Sequence, residues 1–121
     1  MADFVAATQV TLTCPSGNGA LYRATNRILA VLLRQREVQA WGGLTYSSPR
    51  PPVFHGHFWN EGTWEHDRNV LIFFDILNQG PADILPYFVE IQALVDEIYQ
   101  EEGQRQKALW ITAQPLFILG G

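Results

Sequence analysis

Polar and apolar positions change period several times along the chain. In "TQVTLTC" (Thr8–Cys14) Val10, Leu12 and Cys14 alternate with Gln9, Thr11 and Thr13, the two-residue period of a strand with unequal faces. Pro15 stops that run, and "SGNG" follows as a turn in which Ser16 or Asn18 is placed to cap a helix. From Ala20 to about Arg36, Leu21, Ala24, Ile28, Leu29 and Leu32 recur every three or four residues, while Arg23, Arg27 and Arg34 fall largely off the stripe. That spacing predicts an amphipathic helix. "VQAWGGLTY" (Val38–Tyr46) reads as a weaker strand, its Gly42-Gly43 pair marking a bulge or a close backbone approach. "SSPRPP" (Ser47–Pro52) holds three prolines and is expected to be an extended connector, a spacer sooner than a P-x-x-P ligand.

"NVLIFFDIL" (Asn69–Leu77) scarcely alternates: Val70, Ile72 and Phe74 point one way, Leu71 and Phe73 the other. "NQGPAD" turns the chain into a second helix ending near Glu102, with Ile84, Phe88, Ile91, Val95 and Ile98 on one face. Pro86 suits only a first turn, so the regular part is expected to begin there, with Gly103 as terminator. "KALWITAQ" (Lys107–Gln114) is the last regular strand; Pro115 is expected to interrupt it and leave "LFIL" as a short extra edge strand or a docking segment.

Strand–helix–strand occurs twice. Two right-handed crossovers of this kind interleave into a four-stranded antiparallel sheet with both helices on one face, an α+β ferredoxin-like βαββαβ domain spanning 1–121 with a long excursion at about 47–68. In a lone domain of that design the second sheet face meets water and each strand alternates. "VLIFF" does not alternate, and fully burying a Leu or Phe side chain is worth about 1.5–3 kcal/mol. The chain has no third long helix to cover this flank, so a homo-oligomer is expected.

Composition narrows the classes further. With 47% hydrophobic and 17% charged residues the chain is globular. Its net charge is −4, with five arginines against Asp3 and Glu37 in residues 1–50, and ten carboxylates against Arg68, Arg105 and Lys107 in the rest. An acidic chain is a poor binder of phosphate backbones, so no nucleic-acid partner is expected. Apolar runs such as "ILAVLL" are too short to span a membrane, and "MADFVAATQV" lacks the basic start of a signal peptide. One cysteine excludes an internal disulfide, and the expected compartment is the cytoplasm.

"HGHFWNEGTWEHD" (His55–Asp67) concentrates the candidate chemistry, holding all three histidines and two of the four tryptophans. Asn60-Glu61-Gly62-Thr63 suits a turn. With Glu61 and Gly62 as the two turn residues, Trp59 meets Trp64, His57 meets His66 and His55 lies opposite Arg68. With a three-residue loop, His57 faces Glu65 and His55 faces Asp67. The first register groups His55, His57 and His66 for zinc or copper through imidazole nitrogen. The second makes His–carboxylate pairs for acid–base work. A structural hairpin anchored by its tryptophans is the bland reading of either. Trp59, Trp64 and Arg68 are the candidates for contact with a small ligand. "CPSGNG" matches no phosphate-loop pattern. Cys14 is read as a buried small residue or, if its thiol is activated, a nucleophile or soft-metal ligand. Asp75, at a strand end after "FF", is a further carboxylate to watch.

"TLTCP" before a helix, the aromatic hairpin "FWNEGTW" and "NVLIFFDI" directly after it resemble the CutA divalent-cation-tolerance family and, more distantly, the PII signalling proteins. The likeness is one of layout over residues 8–118. It implies a trimeric ferredoxin-like protein that binds a small ligand or divalent metal at its subunit interfaces. The family's Trp-x-Gly tip is here Trp59 and Gly62 with Asn60 and Glu61 between, and its His-Pro-Tyr motif has no counterpart in "EEGQRQKALW". The fold and the trimer are therefore carried over, and no site. The competing readings are a small enzyme with a His–carboxylate pair in the hairpin, and a purely structural interaction protein.

Overall fold

The computed structural model describes residues 2–17, 19–48, 54–104 and 110–120, with no side-chain description for Phe58. Its elements are β1 (Asp3–Ser16), α1 (Ala20–Leu33), α2 (Arg36–Ala40), β2 (Thr45–Tyr46), β3 (Phe54–Asn60), β4 (Thr63–Leu77), α3 (Pro81–Glu101) and β5 (Trp110–Gly120). The sheet runs β2-β4-β1-β5, with β3 also paired to β4, and every described pairing is antiparallel. This is the expected α+β ferredoxin-like layout.

Alternation along β1 and β4 decides which side chains the helices cover. Val10 pairs with Phe74, Leu12 with Ile72 and Cys14 with Val70, and all six are buried. They form one core with Ala24, Ile28, Leu29 and Leu32 of α1 and Ile84, Phe88, Ile91, Val95, Ile98 and Tyr99 of α3. At the far end of the two helices Arg23 and Arg27 form ion pairs with Glu101 and Glu102. Two arginines of the basic first half thus tie α1 to α3.

Local departures from the sequence reading have local causes. Val38–Tyr46 is not one strand: Val38 and Trp41, three residues apart, turn inward on and beside α2, and only Thr45–Tyr46 pairs with β4. Trp41 stacks on Phe88 at 5.7 Å and meets Phe74 and Tyr87 edge-on. Gly42 and Gly43 take φ of 94° and 118°, the left-handed region where a Cβ is disfavoured. α3 begins at Pro81, not Pro86. Its start is held by Gly80 N–H donating to Asp83 Oδ2 at 2.8 Å, and Pro86 is carried inside the helix by the buried Ile84 and Phe88 beside it. Nor does Pro115 interrupt the last strand. It sits opposite Thr8 in a continuous β5, because an edge strand tolerates a missing N–H. The connector expected at Ser47–Pro52 and the start of the strand expected at Lys107 lie largely outside the described residues.

On the reverse of the sheet Leu71 and Phe73 are half-buried and belong to neither the core nor the layer packed on it. Among the described residues no helix lies over them.

Candidate functional site: a histidine row on a projecting hairpin

β4 is fifteen residues long. Its second half is a central strand, and its first half runs out past the core as one arm of a hairpin with β3. Glu61 and Gly62 are the two turn residues, with φ of 50° and 84°. Positive φ at both central positions is the type I′ signature, whose twist matches that of the flanking strands. Thr63 Oγ1 donates to the Asn60 carbonyl at 3.0 Å and closes the tip.

The two-residue turn selects the first of the two registers. Trp59 pairs with Trp64, His57 with His66, and His55 with Arg68. These six positions share one face, and Gly56, Glu65 and Asp67 fall on the other. The acid–base pairs His57–Glu65 and His55–Asp67 are therefore not formed; one residue of register separates imidazoles from carboxylates across the ribbon. On the carboxylate face Asn60 Nδ2 donates to Glu65 Oε1 at 2.8 Å. Burial, then the adjacent Glu65, raise the Asp67 pKa, with His66 offsetting them in part.

His66 is the centre of the imidazole row. Its Nε2 shares a hydrogen bond of 2.9 Å with His55 Nδ1, one ring donating and the other accepting. The two ring planes are 10° apart, and His57 lies near-parallel to His66 at 4.7 Å. The exposed Trp59 and Trp64 meet edge-on at 5.3 Å beyond it. The candidate ligand residues Trp59, Trp64 and Arg68 thus bracket the histidines on a single face. Among the described residues no three His, Cys, Asp or Glu side chains converge as a metal-binding group. His55 and His66 point nitrogens at each other, and the plane of His57 is offset from theirs.

Other candidates resolve differently. Cys14 is fully buried, and burial pushes its thiol up to about 12, so it stays protonated at neutral pH and is no activated nucleophile. Tyr99, also buried, donates to the Pro15 carbonyl at 2.8 Å. Asp75 accepts from Gln9 Nε2 at 3.0 Å, and Gln9 Oε1 accepts from Gln114 Nε2 at 2.9 Å. This row across three strands is not evident from sequence. Its only trace there is the placing of Gln9 on the polar side of its strand. No described helix is long and apolar enough to cross a membrane.

No family model matches the chain, and no curated protein matches its sequence. Solved structures do. The divalent cation tolerance protein CutA1 from Thermus thermophilus is 14% identical with a TM-score of 0.54, over 92% of this chain and 84% of that one. CutA1 from Oryza sativa is 17% identical with a TM-score of 0.46, over 98% and 84%. At the Thermus level of identity the likeness speaks for the fold alone: the fold is CutA-like, with an antiparallel sheet backed by helices in the ferredoxin-like manner.

Proposed function

We propose that the chain acts as a homo-oligomer, a trimer, whose inter-subunit clefts are lined by the β3–β4 hairpin and hold a small ligand or a divalent metal ion. The observation that carries this reading is the single exposed face on which Trp59, Trp64, His57, His66, His55 and Arg68 lie together, projecting beyond the core. Assembly is supported by two features of the sheet. Leu71 and Phe73 present hydrocarbon on the face opposite the helices. β5, an edge strand from Trp110 to Gly120, carries no charged residue, and Trp110, Phe117 and Leu119 on it are exposed. Away from Pro115, which offers no N–H, an exposed apolar edge is a template for a second chain. Residence in the cytoplasm fits a chain whose one cysteine is a buried free thiol.

Imidazole nitrogen is a donor suited to zinc or copper. The name of the Thermus neighbour, a divalent cation tolerance protein, sets the ion class to test first. His55 and His66 already direct nitrogens at one another, so an ion would displace the proton they share. His57, after a ring rotation, or a donor from a neighbouring subunit would complete the shell. An acid–base enzyme built on the hairpin is less well supported, since His57 faces His66 and His55 faces Arg68 while Glu65 and Asp67 lie on the other face.

Light scattering on the purified protein should give a mass near three chains of 13.7 kDa. Zinc and copper titrations, with elemental analysis, should show saturable binding that the His57→Ala/His66→Ala variant loses. Equal binding by both proteins defeats the metal assignment. A nucleotide and metabolite thermal-shift screen tests the small-ligand form of the same site, because a specific binder raises the midpoint by mass action.

A further inference from the structure

On the reverse face of the sheet one row is polar from side to side. Asp75 of β4, Gln9 of β1 and Gln114 of β5 are cross-strand neighbours, and each amide nitrogen donates to the next side chain toward Asp75. The direction is set by chemistry: an ionised carboxylate only accepts, so Gln9 must turn its NH2 to Asp75 and its carbonyl to Gln114. The row next to it toward the chain's N-terminus is apolar, with Ala7 between Leu77 and Leu116. On its other side Thr11 stands between Phe73 and Thr112, and Leu71 and Trp110 flank Thr13 beyond.

Resting on the reading above that this face meets other copies of the chain, we infer that the Asp75–Gln9–Gln114 row sets the alignment of those copies. Each amide uses one of its two N–H groups within the row, and Asp75 Oδ2 and Gln114 Oε1 retain acceptor capacity. The row therefore offers donors and acceptors together and is complementary to itself. Against the apolar rows of a neighbour its spare groups would be buried without partners, at a cost per group comparable to losing a hydrogen bond outright. Against the same row of a neighbour they are satisfied. Apolar contact alone permits sliding between copies; the polar row penalises registers that set it against Ala7, Leu77 and Leu116 and favours the one that sets it against itself, as a single buried Asn does in a coiled coil.

Sedimentation velocity and native mass spectrometry on the full chain test this. The wild type should be a single species. The Gln9→Leu/Asp75→Leu/Gln114→Leu variant should bind its copies without a preferred register and give two or more masses, with far-UV circular dichroism unchanged. Asp75→Asn keeps an acceptor for Gln9 and should retain the single wild-type mass. If the triple variant does not fold, Gln9→Leu, which cuts the row in the middle, carries the same expectation of mixed masses. A wild-type monomer defeats the assembly reading and this inference together. A wild-type oligomer whose folded leucine variants keep one unchanged mass defeats the inference alone.

Discussion

β4 is one strand with two lives. From Val70 to Ile76 every second side chain is buried against helices, and the strand is flanked by β1 along this length. From Thr63 to Asp67 the same strand is half of a two-stranded ribbon whose tryptophans are more than half exposed. In the embedded half the identity of each inward side chain is dictated by volume. In the projecting half no core packing dictates it, only ring contacts along the ribbon itself, and a two-stranded ribbon on its own is marginal in water. Trp59 and Trp64 there meet each other edge-on and leave the rest of their ring surface to solvent.

Substitutions should separate the two halves sharply. Phe74→Ala, which removes a fully buried ring from contact with Trp41 and Phe88, should cost about 3–5 kcal/mol in denaturant unfolding. Trp64→Ala on the ribbon should leave the unfolding of an isolated chain within about 1 kcal/mol of wild type while removing ligand or subunit contacts. A Trp64→Ala loss as large as that of Phe74→Ala would show that the ribbon belongs to the core after all.

Alkaline pH probes the embedded half next. The folded state raises the Cys14 pKa from 9.0 to about 12 through burial. The unfolded chain therefore releases this proton first, and Cys14's contribution, fully present below pH 9, should decline as pH rises from about 9 toward about 12. A Cys14→Ala variant should lose that part of the decline, read as the pH dependence of the denaturant midpoint. Ellman's reagent at about pH 8, below the ordinary thiol pKa, should leave the native thiol untouched.

The turn gives smaller effects. Gly62→Val forces a β-branched residue to φ of 84° and should cost about 1–2 kcal/mol. Glu61→Asn places the preferred residue at the first position of a type I′ turn and should stabilise by a few tenths of a kcal/mol, measured as a rise in midpoint. If Glu61→Asn abolished ligand binding while stabilising the hairpin, the Glu61 carboxylate would join the candidate site.

Periodicity suffices wherever one face of an element meets the core. The stripes Ala24–Ile28–Leu32 and Ile84–Phe88–Ile91–Val95, and the alternation Val10–Leu12–Cys14, are readable because each repeats the geometry of its own helix or strand. The order of these elements then selects the ferredoxin-like layout. Val38–Tyr46 defeats the strand reading because Val38 and Trp41, three apart, share a face only at helical spacing, and the aromatic partners that show Trp41 to face inward, Phe74, Tyr87 and Phe88, are remote in sequence. Pro86 and Pro115 look like breaks because their local cost is visible in the chain, whereas the packing and the edge position that absorb it are not.

The histidine row shows the same division. Sequence supplies three imidazoles and two registers of equal merit, and only the folded turn, with Glu61 and Gly62 both at positive φ, chooses between them. What the chain alone determined is its layout and its surplus of hydrocarbon, since both follow from short-range periodicity. What tertiary structure alone decided is which side chains share a face across the hairpin and across the Asp75–Gln9–Gln114 row. Such neighbours are brought together by strand pairing, where a shift of one residue exchanges every partner and reverses every face.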